Sequence, residues 1–100
     1  RRGDLAITIS TSGKSPALAK RLRLDLETQF GEEYAAFLRL MGAIRDKLLG
    51  QTHEPEAHKA LFNQLIDKDL IGLIKANNTK DINTLLLEVL GEGFNIEDLL

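Results

Sequence analysis

The sequence predicts a mainly α-helical chain with one strand at its front, and three observations carry that prediction. From Pro16 onward, apolar residues recur at three- and four-residue intervals in five to six runs separated by Gly, Asn, Asp or Pro. Ahead of them Leu5 to Ile9 is apolar but for Thr8 and rich in β-branched residues, the composition of a short strand. Between strand and first helix, Ser10, Thr11, Ser12, Gly13, Lys14 and Ser15 form a small, polar loop.

A lone strand cannot satisfy its own N–H and C=O groups. Arg1-Arg2-Gly3-Asp4 therefore reads as the turn of a hairpin whose first strand lies before residue 1. The strand is expected to complete a sheet with that lost strand, with a dimer partner, or with both. Truncation, dimerisation or the two together follow from the same argument.

The first helix is expected from Pro16 to Phe30, with Ser15 as its cap and Pro16 pre-set for a first helical turn. Leu18, Leu22, Leu26 and Phe30 make its apolar stripe, and Gly31 closes it. Glu32 and Glu33 open a second helix, favourable at its positive end. Its stripe is Tyr34, Phe37, Leu38, Met41, Ile44 and Leu48; Gly50 stops it, with Lys47 in the last turn. Gly42 in its middle suggests close approach of another backbone. Pro55 begins a third helix to about Ile66 on the Leu61, Leu65 face, and Asp67 caps a short fourth with Leu70, Ile71 and Ile74. Thr79 caps a fifth carrying Ile82, Leu85, Leu86 and Val89 up to Gly91, and Asn95 caps a last turn. The expected division is residues 1–31, strand, loop and helix, and 32–100, a helical domain.

Composition narrows the function. The chain has 100 residues, 43% hydrophobic and 28% charged, as an ordinary globular domain does. With 13 basic and 15 acidic side chains the net charge is −2, which argues for neither nucleic acid nor a membrane surface as partner. There is no cysteine, hence neither disulfide framework nor thiolate metal site, and no apolar run approaches the ~20 residues of a membrane span. A cytoplasmic location is the expectation. Charge is uneven, however: Arg1, Arg2, Lys14, Lys20, Arg21 and Arg23 crowd the front against Asp4 alone.

Strand, small-residue loop and helix N-terminus together are a recipe for an anion site. Outward N–H groups, the positive end of the helix dipole and the absence of bulky side chains all favour it. Thr11 and Ser12 add hydroxyls and Lys14 an ammonium, whereas Lys20, Arg21 and Arg23 are better read as a solvated helix flank. A plain helix cap with no ligand fits the same residues. Elsewhere the chemistry is thin. His53 and His58 stand five apart, off a common helix face, and are read as exposed polar residues rather than metal ligands. Glu32/Glu33 and Glu97/Asp98 are helix-start charges, and neither Ser12 nor Ser15 has a neighbouring base to make it a nucleophile.

The run Ile9-Ser10-Thr11-Ser12-Gly13-Lys14-Ser15-Pro16-Ala17-Leu18-Ala19, followed by Arg21-Leu22-Arg23, resembles the precorrin-2 dehydrogenase and siroheme synthase family in the segment after its NAD-binding domain. Gly3-Asp4-Leu5 and the stretches Leu65 to Leu70 and Leu73 to Lys75 fit the same family. The resemblance implies the carboxy-terminal part of an NAD-dependent enzyme that converts precorrin-2 to sirohydrochlorin, a sheet shared between subunits of a homodimer, and a tetrapyrrole contact in residues 10–15. It places Thr11 where the family presents a hydroxyl to the tetrapyrrole, lets Gly13 permit close approach, and makes Ser12 a replacement for a glycine found in some relatives. No Gly-x-Gly-x-x-Gly turn is present, so NAD binding and the catalytic group are expected in a preceding domain, and this segment alone should be inactive. Iron insertion, which some relatives perform, has no metal constellation to support it in this sequence. The alternative is a non-enzymatic helical dimerisation module whose loop binds phosphate or nothing.

Overall fold

The computed structural model describes residues 2–51 and 54–100 and contains six helices: α1 (Pro16–Gln29), α2 (Glu32–Gln51), α3 (Pro55–Asp67), α4 (Leu70–Lys75), α5 (Thr79–Leu90) and α6 (Ile96–Leu99). The expected strand at Leu5 to Ile9 is not there. Among the described residues β structure is limited to one antiparallel bridge between Arg2 and Leu5, and residues 6–10 have no regular structure. The reason is the one that made a lone strand suspect: among the described residues no neighbouring segment offers its ladder of N–H and C=O groups a partner.

The turn predicted at the front survives in shortened form, with Arg1 outside the described residues. Arg2 and Leu5 exchange backbone hydrogen bonds of 2.9 and 3.0 Å across Gly3-Asp4. Gly3 has φ +57° while Asp4 keeps a negative φ, the pattern of a type II′ turn. An added Cβ on Gly3 would lie 2.9 Å from the Cβ of Ala35, so this turn sits hard against α2. Arg2 fastens it further: its Nη2 donates to the Glu27 carbonyl at 3.1 Å and its Nε lies 3.8 Å from Glu32 Oε1. The end of α1, the start of α2 and the N-terminal turn thus meet at one arginine. The edge-on packing of Phe30 and Tyr34, with ring centroids 4.9 Å apart, closes the same corner.

The core belongs to α2 through α6. Leu40, Ile44, Leu65, Leu70, Ile82 and Leu86 are fully buried, surrounded by Phe37, Leu48, Leu85 and Phe94. The α1 stripe behaves differently. No residue of α1 is buried, and Leu18 and Leu22 of its stripe are exposed, so that face is left for something other than this core. A radius of gyration of 16.4 Å, against about 13 Å for a compact chain of this length, reflects that extension.

Several boundaries moved. Phe30, not Gly31, is the C-cap of α1, and Gly31 does not adopt positive φ. Gly50 does not stop α2, which runs on to Gln51. Lys47 instead reaches across to bond the Gly93 carbonyl and lies 4.7 Å above the Phe94 ring. Asp69 rather than Asp67 caps α4, accepting from Gly72 N–H at 3.2 Å, and Asn78 rather than Thr79 caps α5, accepting from Asp81 N–H. The side chain that caps lies two residues after the expected one in α4 and one residue before it in α5. Asn95 caps α6 as expected. Asn83 ties α5 to α6, accepting from Ile96 N–H at 2.8 Å and donating to the Glu97 carboxylate. Gly42 has no atom within 4 Å of an added Cβ; it faces an open groove, not a packed backbone.

Candidate functional site

The loop from Ser10 to Ser15 is built by its own hydroxyls. Ser12 and Gly13 have φ of +57° and +77°, and Lys14 N–H bonds the Thr11 carbonyl at 3.1 Å, closing a tight turn with both central residues left-handed. Ser12 therefore does not open the turn, although it bears the strain of an L-residue at positive φ. Ser10 Oγ accepts from Ser12 N–H at 3.2 Å, and Thr11 Oγ1 accepts from Ser15 N–H at 3.1 Å. Ser15 Oγ then caps α1 by accepting from Leu18 N–H at 3.3 Å, with Pro16 in the first turn.

These bonds correct the simple picture of a loop presenting all its N–H groups. Ser12, Lys14, Ser15 and Leu18 spend theirs internally. Gly13 and Ala17 make no backbone N–H bond within the described residues. With the hydroxyl protons of Thr11 and Ser12 and the exposed Lys14 ammonium, these are the donors the turn can offer an anion. Thr11 and Ser15 are half-buried, while Ser10, Ser12, Gly13 and Lys14 are exposed. The six residues singled out in the sequence do form one continuous turn, at the positive end of a 14-residue helix.

Beside it a shallow groove of about 90 Å³ runs between the N-terminal segment and α1, lined by Leu5, Ile7, Ile9, Leu26 and Phe30 with Arg2, Arg23 and Glu27. Arg23, exposed on α1, is one of its charged walls. A larger groove of about 520 Å³ lies between α2 and α3, lined by Leu38, Met41, Gly42, Arg45, Leu49, Pro55, His58, Lys59 and Phe62. Sequence reasoning missed it, and it took His58 for an exposed residue. His58 is 5% exposed. The signal was present: His58, Leu61, Phe62 and Leu65 stand at helical spacing on one face of α3. The expectation for His53 lies outside the described residues.

Neither groove suits NAD. The residues lack a glycine-rich turn between a strand and a helix, and an acid placed to hold a ribose, so no step of hydride chemistry is assigned to them. Among the described residues no group of His, Asp and Glu side chains could hold a metal ion, and no helix is long and apolar enough to cross a membrane.

Comparison with known proteins bears on the same segment. The family described as "Sirohaem biosynthesis protein central" matches residues 2–29, which contain the whole loop. A siroheme synthase of Methylococcus capsulatus is 26% identical over 87 residues, 87% of this chain and 18% of that protein. A precorrin-2 dehydrogenase of Methanosarcina barkeri is 32% identical over 71 residues, 71% of this chain and 32% of that protein. A siroheme biosynthesis protein of Schizosaccharomyces pombe is 33% identical over 67 residues, 67% of this chain and 25% of that protein. The chain thus spans a third or less of each of these relatives. No solved structure matches it. The resemblance read from Ile9 to Ala19 is borne out: the chain is a relative of the precorrin-2 dehydrogenase and siroheme synthase family.

Proposed function

We propose that this chain works as part of an NAD-dependent precorrin-2 dehydrogenase in siroheme biosynthesis, contributing a tetrapyrrole contact through Ser10 to Ser15. The observation that carries this reading is the closed Thr11 to Lys14 turn at the N-terminus of α1, inside the segment that matches the family. Precorrin-2 is a polycarboxylate, and the turn gathers two hydroxyls, an ammonium and unspent N–H donors without a carboxylate among its residues. NAD and the catalytic group belong, on this reading, to another part of the enzyme, and the reaction takes place in the cytoplasm. The test is turnover: the full-length protein, given precorrin-2 and NAD⁺, should form sirohydrochlorin and NADH in equal amounts. Absence of both products from a folded protein would refute it.

Homodimerisation is part of the same proposal, with residues 1–31 as the dimerising unit and 32–100 as a helical domain. Its support is the apolar surface that the core leaves uncovered: Ile7, Leu18 and Leu22 are 40–49% exposed. Sedimentation equilibrium should give twice the monomer mass, and Leu18→Glu with Leu22→Glu should return it to the monomer.

A further inference from the structure

The groove between α2 and α3 shares no residue with the Ser10 to Ser15 turn, and three features give it a chemical character of its own. Its volume of about 520 Å³ falls in the range of small-molecule sites, roughly 300–1,000 Å³. Its body is apolar, formed by Leu38, Met41, Leu49 and Phe62, and is kept open by Gly42, where an added Cβ would meet nothing within 4 Å. Among the described residues its polar side chains are Arg45, His58 and Lys59, with no carboxylate lining it. Arg45 and Lys59 lie on the two facing helices, exposed and without an ion pair among the described residues.

His58 is the telling residue. It is 5% exposed, the one polar side chain among the buried residues described, and its Nε2 is buried with no hydrogen-bond partner. A buried ring nitrogen without a partner opposes folding, and native proteins rarely keep one without a use. Here it stands in the wall of an apolar groove that also carries two unpaired cations, Arg45 and Lys59.

We infer that this groove is a second binding site, for a small amphipathic carboxylate. The apolar body of the ligand lies along Met41, Leu49 and Phe62, and its carboxylate is held by Arg45 and Lys59. The His58 ring, turning slightly toward the groove it lines, supplies the remaining hydrogen bond. An apolar helix from elsewhere would cover the groove's body but leave both cations and His58 unpaired, whereas an amphipathic anion answers all three.

Decanoate is a suitable probe, applied to the full-length protein and followed by calorimetry and by ¹⁵N resonances of the His58 imidazole. The expected result is saturable binding at one molecule per chain, with the His58 nitrogens shifting along the titration. Arg45→Gln should weaken it roughly three- to tenfold, as loss of one charge-assisted contact does. Gly42→Leu, which fills open space and not the core, should abolish it while leaving the far-ultraviolet dichroism intact. The inference is overturned if millimolar decanoate does not bind, as it would not if another domain or a second copy covers the groove. It is equally overturned if decanol binds as well as decanoate, or if the His58 resonances stay still. Because the turn and the groove are separate, sirohydrochlorin formation can fail while decanoate binds, and the reverse.

Discussion

Thr11 Oγ1 accepts a hydrogen bond from the Ser15 backbone N–H at 3.1 Å, and that bond gives one hydroxyl two tasks. As an acceptor it holds the turn against the helix it precedes. Its own proton remains free to donate, and a carboxylate is the acceptor such a proton suits. The loop is therefore organised before any ligand arrives, which lowers the ordering cost of binding.

Ser12 pays for that organisation with φ +57°. Ser12→Gly removes the strain of a left-handed L-residue but adds freedom to the unfolded chain. The net expectation is a gain of about 0.5 kcal/mol, seen as a small rise in Tm by calorimetry with the loop's function preserved. A fall in Tm would mean that the Ser12 side chain contributes more than its backbone costs.

Gly3→Ala should act in the opposite direction. The new Cβ would meet the Cβ of Ala35 at 2.9 Å, on a residue at φ +57°, and neither neighbour is a flexible side-chain end. A loss on the order of 2 kcal/mol is expected. Chemical denaturation measures it, and local hydrogen exchange at Leu5 should rise as the Arg2–Leu5 bridge loosens. Unchanged stability would show that the turn does not bear on α2.

His58→Leu should stabilise the protein, by about 1 kcal/mol, because it exchanges an unpartnered buried nitrogen for a packed apolar group. Urea unfolding is the measurement. Destabilisation instead would mean that the ring's packing or its other nitrogen matters more than the unmade bond.

How far the sequence could be read depended on where each feature's partners lie. Helices α2, α3 and α5 were legible because Ile44, Leu65, Ile82 and Leu86 bury faces that recur at helical spacing. The Ser10 to Ser15 turn was legible for a similar reason: Gly13, Ser15 and Pro16 act within four residues of themselves. The strand at Leu5 to Ile9 was misread because composition records a preference, whereas a strand exists only with a paired neighbour. Long-range features left little local trace. Nothing near Arg2 announces its bond to Glu27, 25 residues away, nor does the sequence around Asn83 announce its hold on Ile96. The α2–α3 groove emerges only when His58 is set on the same helix face as Leu65.

The central claim, that the turn before α1 contacts a polycarboxylate, is tested most directly by steady-state kinetics of Thr11→Val and Thr11→Ser in the full-length enzyme. Valine keeps the shape of threonine and loses the hydroxyl; serine keeps the hydroxyl. A charge-assisted hydrogen bond contributes roughly 1.5–3 kcal/mol, so Thr11→Val should raise KM for precorrin-2 by about ten- to a hundredfold. Thr11→Ser should stay close to wild type, and KM for NAD⁺ should be unchanged in both. Should Thr11→Val lower Tm through the lost Ser15 bond while both KM values hold, the turn is a helix cap and the account is contradicted.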